Sequence, residues 1–323
     1  MALSEFDLIR RYFTHPARNA VLGVGDDAAL VRVGRGMELA VSADMLVSGR
    51  HFFPHADPEK LGHKSLAVNL SDMAAMGAAP RWATLALALP RADARWLAGF
   101  ARGFMRLARA SRVDLIGGDT TGGPLAICVQ ILGEVPAGTS LRRDGARVGD
   151  DVWVSGMIGN AALALAAIQG GVRLAPRERA PLEARLNAPV PRVALGAGLR
   201  GVARSAIDVS DGLVADLGHI CERSGVAAEV ELSRIPRSPA MDKCLPRPAA
   251  LAALLSGGDD YELCFTASPR QFAAMAPLSH RHRIKLTRIG RIVPRRRAGP
   301  LVVVSDPAGR PVESGSGGYD HFT

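Results

Sequence analysis

The sequence contains few cysteines and few aromatic residues, and each shortage excludes a class of protein. Its four cysteines lie far apart and form no CxxC pair. They therefore indicate neither a disulfide framework nor a zinc site, and we expect buried thiols in a reducing, cytoplasmic protein. Aromatic residues make up 5% of the 323-residue chain. They are too few to alternate with basic residues as nucleic-acid-binding surfaces require.

Long apolar runs and targeting signals are also missing. No apolar run approaches the length of a membrane helix, although 48% of the residues are hydrophobic. This composition is typical of a soluble globular protein. The sequence begins without a basic stretch ahead of an apolar one, so we expect no signal peptide. The length favours two domains.

The basic residues are almost all arginine, since the chain has only four lysines and a net charge of +9. Such a charge suits either nucleic acid or a small anionic substrate. The arginines are scattered apart from one run over residues 295–297, so solvated arginine on the surface is a better explanation than nucleic-acid binding, and the basic balance also suits a small anionic substrate. There is no GxxxxGK[ST] loop and no protein-kinase signature. A phosphate-handling enzyme with this sequence must use metal ions and backbone N–H groups.

Strand and helix signals follow one another along the chain and predict an α/β (α+β) fold. A polar stretch rich in Gly and Arg over residues 136–151 indicates a boundary. We expect an N-terminal domain over 1–136, a linker over 137–150 and a C-terminal domain over 151–323. The segment 173–192 carries four prolines and is expected to run over the surface.

The stretch 65–77 predicts a helix that is buried nearly all round, because most of its residues are small or apolar. Ser65, Asn69 and Asp72 form one narrow polar stripe on it. An ionised Asp is costly to bury unless it is paired or holds a metal ion. The alternative is that the stripe is a short solvated face.

Acidic residues recur after predicted strands or in Gly-rich turns. The six of interest are Asp27, Asp44, Asp72, Asp119, Asp208 and Asp211. Ligands in α/β folds collect at the carboxyl ends of strands, where several carboxylates repel each other unless cations lie among them. Oxygen ligands of this kind suit Mg²⁺. Two alternatives stay open: residues 208–211 as a plain helix cap, and residues 117–119 as a plain turn.

Eight motifs in this order resemble those of the bacterial thiamine-monophosphate kinases, and the resemblance runs from Glu5-Phe6 to the C-terminus. They are Gly25-Asp26-Asp27, Ser42-Ala43-Asp44, His51-Phe52, the 68–77 stretch VNLSDMAAMG, Gly117-Gly118-Asp119-Thr120-Thr121, Asp208-Val209-Ser210-Asp211-Gly212-Leu213, Gly257-Gly258-Asp259-Asp260-Tyr261-Glu262-Leu263 and Gly318-Tyr319-Asp320-His321-Phe322. The wider superfamily includes aminoimidazole ribonucleotide synthetase and selenophosphate synthetase.

The resemblance implies a two-domain fold like that of aminoimidazole ribonucleotide synthetase. Its N-terminal mixed sheet would dimerise into a barrel, and its C-terminal α/β domain would complete the active site. The implied reaction is the ATP-dependent phosphorylation of thiamine monophosphate to thiamine diphosphate, with several Mg²⁺ ions, in a cytoplasmic homodimer that binds neither membrane nor nucleic acid.

The resemblance also implies roles for particular residues. The metal set is Asp27, Ser42, Asp44, Asp72, Asp119, Asp208 and Asp211, the ATP contacts are Gly118, Arg143 and Ser210, and the residues facing thiamine monophosphate are His51, Asp259 and Tyr319. Two positions depart from the usual pattern. Ala43 replaces a threonine found in many members, so a hydroxyl is missing, and Asp259 replaces a glutamate, so its reach is one methylene shorter.

Two rival functions remain. One is another ATP-dependent enzyme of the superfamily with a different acceptor, although the sequence lacks an N-terminal reactive cysteine for selenophosphate synthesis. The other is a nucleotide-binding regulator without turnover, which the full set of substrate-side residues disfavours. For the kinase we expect direct in-line attack without a phosphoenzyme, because the acceptor is already an anion and needs little general-base help.

Overall fold

A computed structural model of the chain describes residues 5–245 and 247–312. The chain divides into two compact units, the first comprising Met1–Met73 and Ala78–Gly138 and the second Ala74–Gly77 and Thr139–Thr323. Each unit has its own sheet.

The first unit combines a four-stranded sheet with a short two-stranded ribbon and helices. Its elements are α1 (Glu5–Leu8), which continues as a π-helical turn (Ile9–Phe13), β1 (Ala20–Leu22), β2 (Leu30–Val31), β3 (Met37–Val47), α2 (Pro58–Ala75, whose last two residues belong to the second unit), β4 (Ala79–Leu89), α3 (Ala94–Ser111), β5 (Asp114–Gly122) and β6 (Ala126–Pro136).

The four-stranded sheet has the order β3-β6-β4-β5, and its only parallel pair is β4 with β5. One face is apolar and buried, with Ile127 and Ile131 fully inaccessible. Helix α2 covers this face, since its Met73 lies against Gly133, which is on the same face of β6 as Ile127 and Ile131. Residues on the opposite face, such as Ala43 and its register partner Gln130, are exposed.

Helices α2 and α3 approach each other closely through glycines. A Cβ on Gly103 of α3 would lie 1.8 Å from the Glu59 carbonyl oxygen of α2, and one on Gly62 would lie 2.0 Å from the Phe100 carbonyl oxygen. The helix backbones therefore touch at points where no side chain fits. This contact fixes the position of α2 between α3 and the sheet.

The second unit is built on a six-stranded sheet of order β12-β9-β11-β7-β10-β8. Its elements are β7 (Asp151–Ser155), α4 (Asn160–Ile168), α5 (Pro176–Asn187), α6 (Val193–Leu199), β8 (Ser205–Asp208), α7 (Leu213–Ser224), β9 (Val226–Glu231), α8 (Pro239–Cys244), α9 (Pro248–Leu255), β10 (Leu263–Ala267), α10 (Phe272–His282), β11 (Leu286–Pro294) and β12 (Val302–Ser305), with 3₁₀ turns at Arg143–Gly145, Leu232–Arg234 and Pro269–Gln271.

Both faces of the six-stranded sheet are covered. Val154 of β7 belongs to a large apolar core with α7, whereas its neighbour Trp153 belongs to a second core with Leu195 of α6 and Met275 of α10. Alternate residues of one strand therefore serve different cores, as the pleat of a strand requires.

Several predicted boundaries differ from the structure. Asp44 lies inside β3 rather than after its end, because β3 pairs with β6 along all eleven residues. Residues 117–119 continue β5 beside β4, so the plain-turn alternative is wrong. The segment 173–192 contains helix α5, which Pro176 starts at a position where proline is tolerated and which buries Leu182 and Leu186. The helix predicted over 65–77 is confirmed up to Ala75, where α2 ends in a turn, and it is buried nearly all round.

None of the helices in the described parts of the chain combines the length and apolar character needed to cross a bilayer.

The glycine contact between α2 and α3 predicts a position-specific effect of adding one methyl group. Gly103→Ala should lower the free energy of unfolding by about 1–3 kcal/mol, because the new Cβ overlaps a backbone carbonyl. The matched control is Gly218→Ala in α7, where a Cβ meets nothing within 4 Å. That variant should be neutral or more stable by up to about 1 kcal/mol, because alanine favours the helix. Urea denaturation measures both, and equal effects would contradict the close-packing account.

Candidate functional site

A cavity of about 840 Å³ opens in the first unit. Four segments of the chain line it: the N-terminal helical turn, the Gly-rich loop after β1, the middle of β4 and the middle of β5. The lining residues are Ile9, Arg10, Phe13, Thr14, residues 24–29, Thr84, Leu85 and residues 115–120. The structure thus brings the loop of Asp27 and the strand of Asp119 to one cavity, although they are about 90 residues apart in sequence.

The cavity lining combines acidic and apolar residues with one arginine, Arg10. Asp26, Asp27 and Asp119 are exposed carboxylates in its lining, whereas Ile9 and Phe13 contribute apolar surface. The Asp27 backbone N–H donates to the Asp26 carboxylate at 2.9 Å, which fixes the turn between the two acids. A ligand with an apolar ring and an anionic, metal-bound end matches this arrangement.

Gly118 provides bare backbone in the cavity wall. Its φ of +149° and its packing exclude a side chain, since a Cβ would lie 1.9 Å from the Leu85 carbonyl oxygen. Glycine at this position lets β5 pack closely against the β4 backbone, and its main chain forms part of the cavity lining.

Asp72 is hydrogen-bonded to the strand it faces. Ser42 Oγ of β3 donates to Asp72 Oδ2 of α2 at 2.5 Å. Asp44 lies two residues along β3 and so belongs to the same face of the sheet. The predicted partners Ser42, Asp44 and Asp72 therefore belong to one layer of the first unit. The solvated-face alternative is wrong, because Ser65 and Asn69 of the stripe are buried.

His51 is held by its own turn. The Val47 N–H donates to His51 Nδ1 at 2.9 Å, and the His51 N–H donates to the Val47 carbonyl at 3.0 Å. Because Nδ1 accepts a hydrogen bond, the proton of the neutral ring lies on Nε2. The imidazole is therefore set to donate from Nε2.

The loop at residues 208–211 follows strand β8 in the second unit. Asp208 is buried at the end of the strand. The helix-cap alternative is wrong, because the N-cap of α7 is Gly212. Instead Asp216 Oδ2, from the first turn of α7, accepts the backbone N–H groups of residues 210, 211 and 212, each at 3.1 Å. The backbone of the loop that carries Ser210 and Asp211 is therefore held in place by Asp216.

Negative charge is crowded at this loop. Burial, with smaller contributions from the Asp208 and Asp211 carboxylates, raises the pKa of Asp216 to about 8. A cation near this loop would offset the negative charge of its carboxylates.

The remaining candidates lie around the second unit's loops. The Asp259 N–H donates to the Ser210 carbonyl at 2.9 Å, so these two residues are adjacent. Arg143 is exposed in a 3₁₀ turn whose backbone is fixed by Ser224 Oγ, which donates to the Arg143 carbonyl at 2.8 Å. Tyr319 lies outside the described residues.

The acidic side chains of the cavity lining are oxygen donors of the kind that Mg²⁺ binds. Among the described residues, no three His, Cys, Asp or Glu side chains are already clustered as a metal site. Mg²⁺ does not require such a cluster, since it binds one or two carboxylates, substrate phosphates and several waters. The cavity lining offers Asp26, Asp27 and Asp119 as oxygen donors, so the residues fit Mg²⁺.

Sequence reasoning missed several residues of these loops. Asp216 could have been found, since an acid in the first turn after a Ser-Asp-Gly loop is a usual partner of free N–H groups. Asp26 is adjacent to the predicted ligand Asp27, but the motif gives it no metal role. No local signal marks Arg192, whose guanidinium pairs with Glu262, 70 residues further along the chain.

Two family models match the chain. The AIR synthase related protein N-terminal domain matches residues 25–135, and the corresponding C-terminal domain matches residues 147–303.

Full-length relatives and solved structures agree with these matches. The thiamine-monophosphate kinase of Salmonella typhimurium is 43% identical over 326 residues, covering 100% of this chain and 99% of the relative. The crystal structure of the enzyme from Stenotrophomonas maltophilia is 48% identical with a TM-score of 0.85, covering 94% and 97% of the two chains. AaThiL complexed with AMPPCP and TMP is 29% identical with a TM-score of 0.77, covering 99% and 97%. By sequence and by fold, the chain belongs to the thiamine-monophosphate kinase family.

Proposed function

We propose that this protein phosphorylates thiamine monophosphate with ATP to give thiamine diphosphate and ADP. The observation that carries the proposal is the cavity of the first unit, which joins an apolar wall to the carboxylates of Asp27 and Asp119 and the bare backbone of Gly118. AaThiL, whose fold this chain shares, is complexed with AMPPCP and TMP, which match the two substrates of this reaction.

We assign the metal-binding role to seven side chains, namely Asp27, Ser42, Asp44, Asp72, Asp119, Asp208 and Asp211. When bound, Mg²⁺ offsets the repulsion between the two anionic substrates. The hydrogen bond from Ser42 to Asp72 orients that carboxylate before any ion arrives. The backbone of Gly118, the Arg143 guanidinium and Ser210 contact ATP in this proposal.

The transfer itself is direct. A phosphate oxygen of thiamine monophosphate attacks the γ-phosphorus of ATP in line with the bond to the departing ADP. Phosphoryl transfer depends on positioning and charge neutralisation more than on covalent help from the protein. His51, Asp259 and Tyr319 hold the acceptor in this proposal, and the hydrogen bond from the Val47 N–H to Nδ1 fixes the orientation of the His51 ring.

The proposed enzyme is a homodimer formed through its N-terminal domain, residues 1–136. Strand β3 is at the edge of its sheet, and Leu39, Val41 and Met45 on its open face are all exposed, Val41 by 53%. The ribbon adds Val21 and Leu30, which are also exposed. A long apolar edge strand invites pairing with another chain, and a second copy across a two-fold axis would cover it and close the two sheets into a barrel.

The proposed compartment is the cytoplasm. ATP is supplied there, and its reducing environment suits unpaired thiols such as the buried Cys221 and Cys264.

The metal role of Asp72 predicts a selective loss of turnover. Asp72→Asn should reduce formation of thiamine diphosphate at least about 100-fold, because a charge that acts on the reacting groups is removed. The fold should persist, since asparagine has nearly the same size as aspartate and its side-chain oxygen can still accept the Ser42 hydroxyl.

The matched control is Asp57→Asn at the start of the same helix, where Oδ1 caps the Lys60 N–H at 2.9 Å and asparagine caps equally well. This variant should keep wild-type turnover. Near wild-type activity of Asp72→Asn at ordinary Mg²⁺ concentrations would contradict the assignment.

The dimer proposal predicts that one charge on β3 separates the subunits. At micromolar concentration the wild type should sediment at about twice the 34.0 kDa chain mass. Val41→Lys should sediment as a monomer, because it buries an unpaired charge in the contact. Val190→Lys, at a 46% exposed site of the second unit, should remain a dimer. A monomeric wild type, or a dimeric Val41→Lys, would show that the β3 face is not the contact.

A further inference from the structure

The turn that carries Asp259 has an unusual backbone. Asp259 and Tyr261 have φ values of +69° and +52°, in the left-handed region that side chains other than glycine rarely adopt. Residues persist in this region when their surroundings determine the conformation, and such residues concentrate at functional sites.

Main-chain hydrogen bonds tie this turn to the loop after β8. The Asp259 N–H donates to the Ser210 carbonyl at 2.9 Å, and the Tyr261 N–H donates to the Val209 carbonyl at 2.8 Å. In return the Val209 N–H donates to the Glu262 carbonyl at 2.8 Å. The turn therefore has one fixed position relative to the loop of Ser210.

A buried ion pair anchors the far end of the turn. Glu262 receives two hydrogen bonds from the Arg192 guanidinium, and both side chains are nearly inaccessible, at 7% and 11% exposure. Ser155 Oγ donates to the same carboxylate at 2.5 Å and accepts the Leu263 N–H at 2.9 Å. Each charge is thus paired and hydrogen-bonded, which is the condition for a stable buried pair.

Within this rigid turn, one side chain holds another. The Tyr261 hydroxyl donates to Asp259 Oδ1 at 2.9 Å, and the tyrosine itself is 8% exposed. A hydrogen bond to a charged acceptor is stronger than one between neutral groups, and a packed ring has few alternative rotamers. Tyr261 therefore restricts the direction of the Asp259 carboxylate.

We propose that Tyr261 is a positioning residue for the acceptor site, which acts by aiming the Asp259 carboxylate at thiamine monophosphate. The inference rests on the proposed function and on the role of Asp259 in it. The hydrogen bond from Tyr261 also suits the aspartate at this position. Its side chain is one methylene shorter than that of glutamate, so its direction matters more for reaching the substrate.

The test compares Tyr261→Phe with Ser268→Ala. The control removes a hydroxyl of the second unit that accepts the Arg270 N–H at 3.4 Å and that belongs neither to the turn of Asp259 nor to the cavity lining. In Tyr261→Phe the KM for thiamine monophosphate should rise roughly tenfold, the effect of losing a hydrogen bond to a charged group. The KM for ATP and kcat should stay within about twofold of wild type, and Ser268→Ala should leave all three unchanged.

A double-mutant cycle separates aiming from general structural damage. If Tyr261 acts through Asp259, then Tyr261→Phe should have no further effect on the KM for thiamine monophosphate in an Asp259→Ala background. An unchanged KM in the single variant, or an equal rise in both backgrounds, would overturn the inference. A wild-type protein that does not phosphorylate thiamine monophosphate would instead overturn the proposed function, and the inference with it.

Discussion

The hydrogen bond from Ser42 to Asp72 joins the edge strand β3 to the helix on which the first unit is assembled. Helix α2 is buried nearly all round, so the half-buried Asp72 carboxylate near its end must face a polar partner. The glycine contacts of α2 with α3 leave no room for the helix to rotate, and the sheet closes its other side. Packing thus decides where the Asp72 carboxylate is presented, before any ligand binds.

The second unit also holds its acidic side chains in fixed positions, but through different contacts. The Asp216 side chain stabilises the acidic loop after β8 by accepting three of its backbone N–H groups. The facing turn adopts left-handed backbone at Asp259 and Tyr261 and is fixed by the buried Arg192–Glu262 pair. In both units, rigid main chain supports the acidic side chains, as a preorganised electrostatic site requires.

Much of this could be predicted from sequence, because the determining patterns are local. The helix around Asp72 follows from a run of small and apolar residues. Strand ends were less predictable: Asp44 lies inside β3 because pairing with β6 continues past it. The four prolines of residues 173–192 predict a surface segment, but the structure has helix α5 there, with Pro176 as its first residue.

The supporting contacts of the site could not be predicted, because they join distant parts of the chain. Nothing near Arg192 in sequence indicates a pairing with Glu262, and nothing near Leu85 indicates that its carbonyl excludes a side chain at Gly118. The positive φ of Asp259 is equally hidden, since aspartate does not demand it. Motifs identify which residues act, whereas three-dimensional packing determines how they are held.

The central claim is direct phosphoryl transfer from ATP to thiamine monophosphate, and one stereochemical measurement tests it. The enzyme would be given thiamine monophosphate, Mg²⁺ and ATP with a chiral, isotopically labelled γ-thiophosphate. We predict that the label appears on thiamine diphosphate with inverted configuration at phosphorus, because a single displacement inverts. Retention, which requires two displacements and a phosphoenzyme, or failure of the label to reach thiamine monophosphate, would contradict the account.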